Sequence, residues 1–279
     1  MIIDFRIRAP FGGFKNSVLF DSKDRATFAT KFGFEIQDSL RQKSVDILIK
    51  EMDEVGIDKA VVPVRKSVNV SNDELMDFLD QYNERFYGMA GIDTLDGENA
   101  LKEIDKYVLE GPCVGVVMEP GYCTIPMKAD DKRNYPIYQK CQDNNIPVFL
   151  SFGGLIGPFM DYNDPNIIDH IASDFPELVL ILAHGGYPYV NESCYVAFKN
   201  DNVYLVPDFY ATRVPGGNEY LKATSWIEDK IIYGSGYPVQ PVKGMFEYYK
   251  ANLSEEAFKK VTYLNAMKIL SWKKENIKE

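Results

Sequence analysis

Val179-Leu180-Ile181-Leu182-Ala183 and Lys59-Ala60-Val61-Val62-Pro63-Val64 are two short and almost entirely apolar runs. Strands of a parallel sheet that is covered on both faces have this pattern, whereas half-exposed antiparallel strands alternate apolar and polar residues. Pro63 is unusual in a central strand, because proline donates no backbone hydrogen bond. The two runs together predict a parallel sheet with helices packed on its faces.

Six more β-branched runs alternate with amphipathic stretches along the chain. The eight predicted strands lie at residues 2–8, 59–65, 86–92, 114–119, 147–152, 178–184, 203–208 and 231–235. Eight strands that alternate with helices predict an α/β fold, the (β/α)8 TIM barrel. The 279 residues contain no linker, low-complexity tract or internal repeat, so we expect a single domain over residues 1–279.

Four of the predicted helices are well marked, at residues 44–55, 71–84, 165–175 and 254–272. In the first of them Ser44 is a suitable N-cap, since its hydroxyl can accept a hydrogen bond from the first turn. Val45, Leu48 and Met52 then recur at the spacing of one helical face. This pattern indicates a helix that packs its apolar face against the sheet.

The charge and the cysteines limit the class of protein. The formal charge is −10, so we expect no nucleic-acid partner and no membrane partner, because either surface needs a basic patch. We expect no secretory signal, and no apolar run reaches the ~18 residues that span a bilayer. The four cysteines lack zinc-ligand spacing and indicate reduced thiols in a cytoplasmic protein. Cys123 follows a predicted strand, but no base accompanies it to make it a nucleophile.

Long connections follow four predicted strands, at residues 9–43, 121–134, 153–164 and 209–220. In TIM barrels the loops after the strands form the active-site face. The first loop holds too many aromatic side chains for a disordered tether, namely Phe11, Phe14, Phe20, Phe28, Phe32 and Phe34. We expect lids over a partly apolar pocket, the alternative being loops that only cover the barrel mouth.

Charged and apolar residues alternate in the first predicted strand. Asp4, Arg6 and Arg8 share one face, and we expect that face to point into the barrel because the apolar face must meet the helices. A buried guanidinium needs a carboxylate, an anion or water. If Asp4 and Glu119 are the partners, the arginines form a structural ion-pair cluster. The functional alternative is that Arg6 and Arg8 clamp a substrate carboxylate or phosphate.

Further charged residues end other predicted strands, where a TIM barrel places its catalytic groups. Arg65 ends the second strand, Glu119 the fourth, His184 the sixth and Asp208 the seventh, and Tyr210 follows in the next loop. The sequence predicts a ring of alternating charge around the barrel mouth. His184, with an ordinary pKa near 6.5, is the natural proton-transfer group.

Four segments in order along the chain carry a resemblance to a known family: Asp4-Phe5-Arg6-Ile7-Arg8, Ala183-His184-Gly185-Gly186, Gly234-Ser235-Gly236-Tyr237-Pro238 and Asn265-Ala266-Met267-Lys268-Ile269-Leu270. They resemble the amidohydrolase-related family, a group of TIM barrels within the amidohydrolase superfamily that includes metal-dependent hydrolases and decarboxylases. The resemblance covers residues 2–270 and implies the same barrel. Relatives often pair, which leaves a homo-oligomer open.

The family usually holds its metal with two histidines of the first strand, a histidine of the fifth and an aspartate of the eighth. These positions match Arg6, Arg8, Ser151 and Gly236. A guanidinium stays protonated and cannot coordinate zinc, and glycine has no side chain. The resemblance therefore implies a divergent member with no metal and no cofactor at the usual site, in which Ser151 is a substrate-binding candidate.

The family's decarboxylases use the histidine at the end of the sixth strand as an acid/base, and His184 matches it. The leading hypothesis is a metal-independent hydrolase or carbon–carbon lyase that acts on a small, anionic, carboxylated substrate. Decarboxylation, lactone hydrolysis and hydration are all consistent with it. Arg6 and Arg8 would hold the anion, with Arg65, Ser151 and Tyr210 as further substrate-binding candidates, and Glu119 or Asp208 would orient His184. Alternatively, Glu119 is a second acid/base or the counterion of the arginines.

Two alternatives stay open at this point. The first is a metal-dependent hydrolase in which Glu119, His184 and Asp208 hold zinc or manganese as a relocated ligand set. The second is a non-catalytic barrel that binds an anionic metabolite, since the loss of every usual metal ligand is what a retired enzyme would show. The other histidine, His170, lies in a predicted helix and is expected at the surface.

Overall fold

Seven parallel strands form one curved sheet in the computed structural model, which describes residues 1–21, 35–212 and 214–273. Neighbours in the sheet are neighbours in the chain, and the strands are β1 Ile3–Asp4, β2 Lys59–Pro63, β3 Phe86–Ile92, β4 Val116–Met118, β5 Val148–Ser151, β6 Leu180–Ala183 and β7 Val203–Val206. This order is that of the TIM barrel, and the predicted fold class is confirmed.

The segment 230–237 joins the two edges of this sheet. The amide of Ile232 donates to the carbonyl of Leu205 in β7 at 2.8 Å, and the amide of Arg8 donates to the carbonyl of Tyr237 at 3.1 Å. Only isolated bridges form here, so the prediction of a regular eighth strand at 231–235 is wrong. The reason is local, because the amide of Ser235 donates to the side chain of Asp4 instead of to a strand.

Helices cover the outside of the sheet. Within the described residues they are α1 Gly12–Asn16, α2 Asp38–Gln42, α3 Val45–Val55, α4 Asn72–Tyr82, α5 Gly97–Ile104, α6 Tyr135–Asp143, α7 Pro165–Asp174, α8 Val190–Lys199, α9 Glu219–Ile227, α10 Val242–Asn252, α11 Glu255–Lys259 and α12 Asn265–Leu270. Short π-helical turns, Asp105–Leu109 and Lys260–Leu264, continue α5 and join α11 to α12. The predicted helix at 254–272 is thus present, with a π turn in its middle.

Capping residues set the starts of two predicted helices. Ser44 accepts a hydrogen bond from the amide of Ile47, as expected for the N-cap of α3. Ser71 and Glu74 form a reciprocal capping box at the start of α4. Such caps satisfy amides that have no partner inside the helix.

An inner apolar cluster fills the barrel with side chains from all seven strands. Phe5 and Phe149 belong to it, and their ring centroids lie 6.2 Å apart although β1 and β5 are not neighbours in the sheet. Ile3 is in the same cluster, whereas Ile7 packs with the outer core against the helices. The expectation that the apolar face of the first strand meets the helices is therefore wrong for Ile3 and Phe5 and correct for Ile7.

A bend at Phe5 explains this difference. The carboxylate of Asp4 accepts hydrogen bonds from the amides of Arg6 at 3.0 Å and of Ser235 at 2.9 Å. These bonds end β1 at Asp4 and break the period-two alternation that a continuous strand would keep. As a result Ile3 and Phe5 enter the barrel at its lower end, and Arg6 enters it at its carboxyl end.

The loop at 9–43 is described only in part. Phe11, Phe14 and Phe20 are buried in the outer core, and Phe11 stacks on Phe78 of α4 at 4.3 Å. The predictions for Phe28, Phe32 and Phe34 lie outside the described residues. Among the helices that the structure describes, none is long and apolar enough to cross a membrane.

Candidate active site

The predicted site residues lie at or just beyond the carboxyl ends of the strands. His184 directly follows β6, and Asp208 comes two residues after β7. Both have positive φ angles, 66° and 47°. The left-handed conformation is uncommon for residues other than glycine, and it ends a strand by turning the chain sharply. The two turns bring both side chains against Arg6.

Arg6, His184 and Asp208 form a buried cluster, called here the Arg6 cluster. Nη1 of Arg6 donates to Oδ2 of Asp208 and lies 3.3 Å from Nδ1 of His184. Nη2 of Arg6 lies 3.1 Å from Nε2 of His184. Nδ1 of His184 is also 3.3 Å from Oδ2 of Asp208. With the proton on Nδ1, the ring donates to Asp208 and accepts from Arg6, so both of its nitrogens are engaged.

The Arg6 cluster controls the charge on His184. Burial, together with the positive charge of Arg6, lowers the pKa of His184 to about 4, although Asp208 acts to raise it. The expectation of an ordinary value near 6.5 is therefore wrong, and the ring is neutral at pH 7. Burial alone would raise the pKa of Asp208, but Arg6 and His184 outweigh burial and keep it low, so Asp208 is a carboxylate.

A second cluster joins the ends of β2, β4 and β5, and is called here the Arg65 cluster. Nε of Arg65 donates to Oε1 of Glu119 at 2.5 Å. Ser67 donates its hydroxyl to Oε2 of Glu119 at 2.9 Å, and its amide reaches the same oxygen at 3.3 Å. Ser151 donates to Oε1 at 3.3 Å. With Arg65 and these donors on its two oxygens, Glu119 is a carboxylate of lowered pKa, although its burial acts to raise that pKa.

Arg8 belongs to neither cluster, but its charge interacts with the charged groups of both. Its side chain is only 2% exposed, and Nε and Nη1 have no hydrogen-bond partner within the described residues. Burial and the charge of Arg6 both lower its pKa well below the usual range, with Arg65 adding to the effect. Arg8 therefore carries a positive charge that the described residues do not neutralise directly.

The predicted ion pairs of the arginines are wrong in detail. Asp4 contacts the backbone amide of Arg6, not its guanidinium, and Glu119 pairs with Arg65. The guanidinium of Arg6 pairs with Asp208. The sequence placed all of these groups at the barrel mouth, but the choice of partner depends on which strand ends curve toward one another.

Two glycines lie beside Arg6 and Asp208. A Cβ atom at position 234 would lie 3.0 Å from Cβ of Arg6 and 2.7 Å from a methyl group of Val206. Gly236 has a φ of +74°, and a Cβ there would lie 3.4 Å from Cβ of Asp208. A side chain at position 234 would therefore crowd Arg6 and Val206, whereas at position 236 the positive φ is what disfavours a side chain.

Residues 41–272 match the family model for amidohydrolases. The chain belongs to the amidohydrolase family. An uncharacterised TIM-barrel protein from Bordetella bronchiseptica is 34% identical, with a TM-score of 0.92 over 97% of this chain and 98% of that one. No curated protein matches the sequence.

Two other solved structures share the amidohydrolase fold at lower identity. One is a dihydroxybenzoic acid decarboxylase from Polaromonas sp. JS666 with bound manganese and the inhibitor 2-nitroresorcinol (17% identity, TM-score 0.72, 100% of this chain and 99% of that one). The other is 4-oxalomesaconate hydratase from Rhodopseudomonas palustris (18% identity, TM-score 0.68, 99% and 97%). At these identities the likeness shows the fold alone.

The family's metal does not fit the residues of this amidohydrolase. The guanidinium of Arg6 lies against His184 and Asp208. It therefore occupies the donor atoms that a metal ion would need, at the place where the family binds its metal. Glu119 is held by Arg65, Ser67 and Ser151. Accordingly, no group of three or more histidine, cysteine, aspartate or glutamate side chains in the described part of the chain could hold a metal ion. The relocated set of Glu119, His184 and Asp208 is not assembled.

Three residues that contact the predicted site residues were not predicted from the sequence. Ser67 binds Glu119, Tyr122 lies with its ring centroid 5.2 Å from the guanidinium carbon of Arg65, and Tyr187 stacks on Tyr210 at 4.6 Å. Each follows a predicted strand end by two to three residues, and that position was the available signal. A cavity of about 230 Å³ lies beside Glu119 and is lined in part by Ser67 and Tyr122.

Tyr210 and His170 are placed as predicted. The ring of Tyr210 packs edge-on against His184, with centroids 5.3 Å apart. Burial raises the pKa of Tyr210, so it is a neutral phenol. His170 is 66% exposed on α7, which confirms the expected surface position.

Proposed function

We propose that this amidohydrolase is a hydrolase or a lyase that acts on a small carboxylated substrate. The observation that carries the proposal is the buried His184–Asp208 pair, 3.3 Å apart at the carboxyl end of the barrel beside the unneutralised Arg8. A histidine oriented by a carboxylate is a common proton-transfer unit, and an open guanidinium suits a carboxylate. Decarboxylases and a hydratase with the same fold support this range of reactions.

In the proposed site the arginines bind and stabilise negative charge. Arg8 and Arg6 lie at the positions of the family's metal-binding histidines, and they supply positive charge there. Arg65, fixed by Glu119, adds a third guanidinium, and Ser151 and Tyr210 complete the substrate-binding set. Glu119 has the role of a positioning residue, since its oxygens already accept from Arg65 and two serines.

The neutral state of His184 favours reactions that begin with proton removal. Once the hydrogen bond from Arg6 Nη2 to Nε2 of His184 opens, Nε2 can take a proton from water or from the substrate. Asp208 then stabilises the resulting imidazolium. Water then adds as hydroxide to a carbonyl or an activated double bond, and His184 returns the proton to the leaving oxygen or the carbon. Decarboxylation would need a protonated His184 at the start, which burial and Arg6 oppose. We therefore favour lactone hydrolysis and hydration.

His184→Asn and Asp208→Asn test the proposed roles. We expect a screen of lactones and unsaturated carboxylates to find turnover by the wild type. His184→Asn should lower kcat by at least about a hundredfold, the usual contribution of a general base, because asparagine cannot take up the proton. Asp208→Asn should lower it less, since the base itself remains. Full activity of His184→Asn would contradict the role of His184.

The non-catalytic anion-binding barrel is the second candidate, and one observation favours it. Both nitrogens of His184 are engaged by Arg6 and Asp208, so the ring offers no open position in this arrangement. In this case His184 serves to hold Arg6. Anion binding without turnover, unchanged by His184→Asn, would support this candidate over the enzyme.

A further inference from the structure

Arg8 differs from the other two arginines of the site in its lack of a carboxylate. Arg6 pairs with Asp208, and Arg65 pairs with Glu119. Within the described residues no carboxylate oxygen lies within 4.0 Å of the guanidinium of Arg8, although that side chain is 2% exposed. Two of its nitrogens, Nε and Nη1, are buried without an acceptor.

Asp4 does not compensate for this charge. Its Oδ1 accepts the amides of Arg6 and Ser235, and it forms no ion pair with Arg8. It lies four residues before Arg8, below the bend at Phe5, and burial raises its pKa to about 6. Beside the Arg6–Asp208 and Arg65–Glu119 ion pairs, the site therefore has one further positive charge, that of Arg8.

We propose that Arg8 docks the single carboxylate of the substrate and that the site is built to accept one negative charge. Calling the ligand a substrate rests on the proposed function, but binding of a carboxylate to Arg8 can be tested without turnover. A guanidinium offers two parallel N–H donors to a carboxylate through Nη2 together with either Nε or Nη1, and in Arg8 both Nε and Nη1 lack an acceptor.

The surrounding charges make the site selective for a monoanion. A first negative charge would offset both the cost of burying the charged Arg8 and its repulsion by Arg6 and Arg65. A second negative charge would need another open cation, but Arg6 and Arg65 are already paired with Asp208 and Glu119. Recruiting either would break a buried ion pair and leave its carboxylate uncompensated, which is strongly unfavourable.

Propionate, malonate and propionamide test this proposal by ligand binding. The three have the same carbon number and carry one, two and no negative charges at pH 7. The imidazole NMR signals of His184 report binding, since its ring contacts Arg6 beside Arg8. We expect saturable shifts with propionate and no binding of propionamide, which has no charge to form a charge-assisted hydrogen bond. Malonate should bind at least about tenfold more weakly than propionate, because its second charge meets only arginines that are already paired.

Variants of Arg8 assign the binding to this side chain. Arg8→Met should abolish propionate binding, while the melting temperature of the ligand-free protein stays equal or rises because an unpaired buried charge is removed. Arg8→Lys keeps the charge without the fork and should bind propionate at least about tenfold more weakly. Arg133→Met is the matched control, since Arg133 is exposed and paired with its near neighbour Asp131. It should bind propionate as the wild type does.

Three outcomes would overturn the proposal. They are wild-type protein that does not bind propionate, Arg8→Met or Arg8→Lys that binds it as tightly as the wild type, and malonate that binds more tightly than propionate. A misfolded Arg8→Met leaves Arg8→Lys to decide the question. If propionate binding depends on Arg8 but no substrate is turned over, docking by Arg8 stands and the proposed enzymatic function fails.

Discussion

Burial has the largest effect on the proton affinity of His184, and it lowers the pKa of the ring. Two charged neighbours act in opposite directions, since Arg6 repels a proton on the ring and Asp208 attracts one. We expect the imidazole of His184 to titrate near pH 4 when followed by NMR. Arg6→Met should raise that value, because it removes the nearest positive charge. His170→Asn assigns the second histidine signal, and titration of His184 above pH 6.5 would contradict the arrangement.

The pKa of His184 also has a consequence for stability. A ring that titrates near pH 4 in the folded protein and near 6.5 in the unfolded chain binds fewer protons when folded. Its contribution is present above pH 6.5 and is lost as the pH falls toward 4, in total about 3 kcal/mol. Asp4 acts in the opposite direction over a similar range, because its folded pKa is raised to about 6. The NMR titration is therefore a cleaner test than a melting curve.

At the level of the elements, the Arg65 cluster ties together the ends of three strands. Glu119, directly after β4, binds Arg65 and Ser67 beyond β2 and Ser151 at the end of β5. Glu119→Gln should lower the free energy of unfolding by about 3–5 kcal/mol, because it leaves the buried guanidinium of Arg65 without its countercharge. Denaturant unfolding measures this change.

The control for that prediction is an ion pair of the same chemistry at the surface. Arg133 and Asp131 form an ion pair at 2.6 Å in which Arg133 is exposed and Asp131 only half-buried, so Asp131→Asn should change the free energy of unfolding by less than about 1 kcal/mol. Equal effects of Asp131→Asn and Glu119→Gln would show that burial of the Arg65 cluster contributes nothing, and would contradict its role in joining the strands.

For the whole molecule, the arginines predict how this amidohydrolase treats metal ions. We expect elemental analysis of tag-free protein, purified without chelators, to find less than stoichiometric zinc or manganese. The reason is that Arg6 occupies the donors of His184 and Asp208, and Arg8 adds a second positive charge that repels a dication. About one metal ion per chain, lost on chelation together with activity, would overturn this and return Glu119, His184 and Asp208 to the role of ligands.

The architecture of the molecule was predictable because its signals are local. Apolar runs such as 59–64 and 179–183, and helix starts such as Ser44 and Ser71, depend on neighbours a few residues away. Each signal therefore survives in the sequence without knowledge of the rest of the fold. The position of the site follows from the same signals, since the carboxyl ends of barrel strands meet at one face.

The pairing inside the site depended on the tertiary structure. Arg6 and Asp208 are 202 residues apart, and their contact requires closure of the barrel by the segment 230–237 and the left-handed turn at Asp208. The bend at Phe5 likewise needs Ser235 from the far end of the chain. Sequence alone determined which charged residues reach the barrel mouth. Three-dimensional proximity decided that Arg6 and Arg65 have carboxylate partners and that Arg8 has none among the described residues, because electrostatic pairing depends on distance in space and not along the chain.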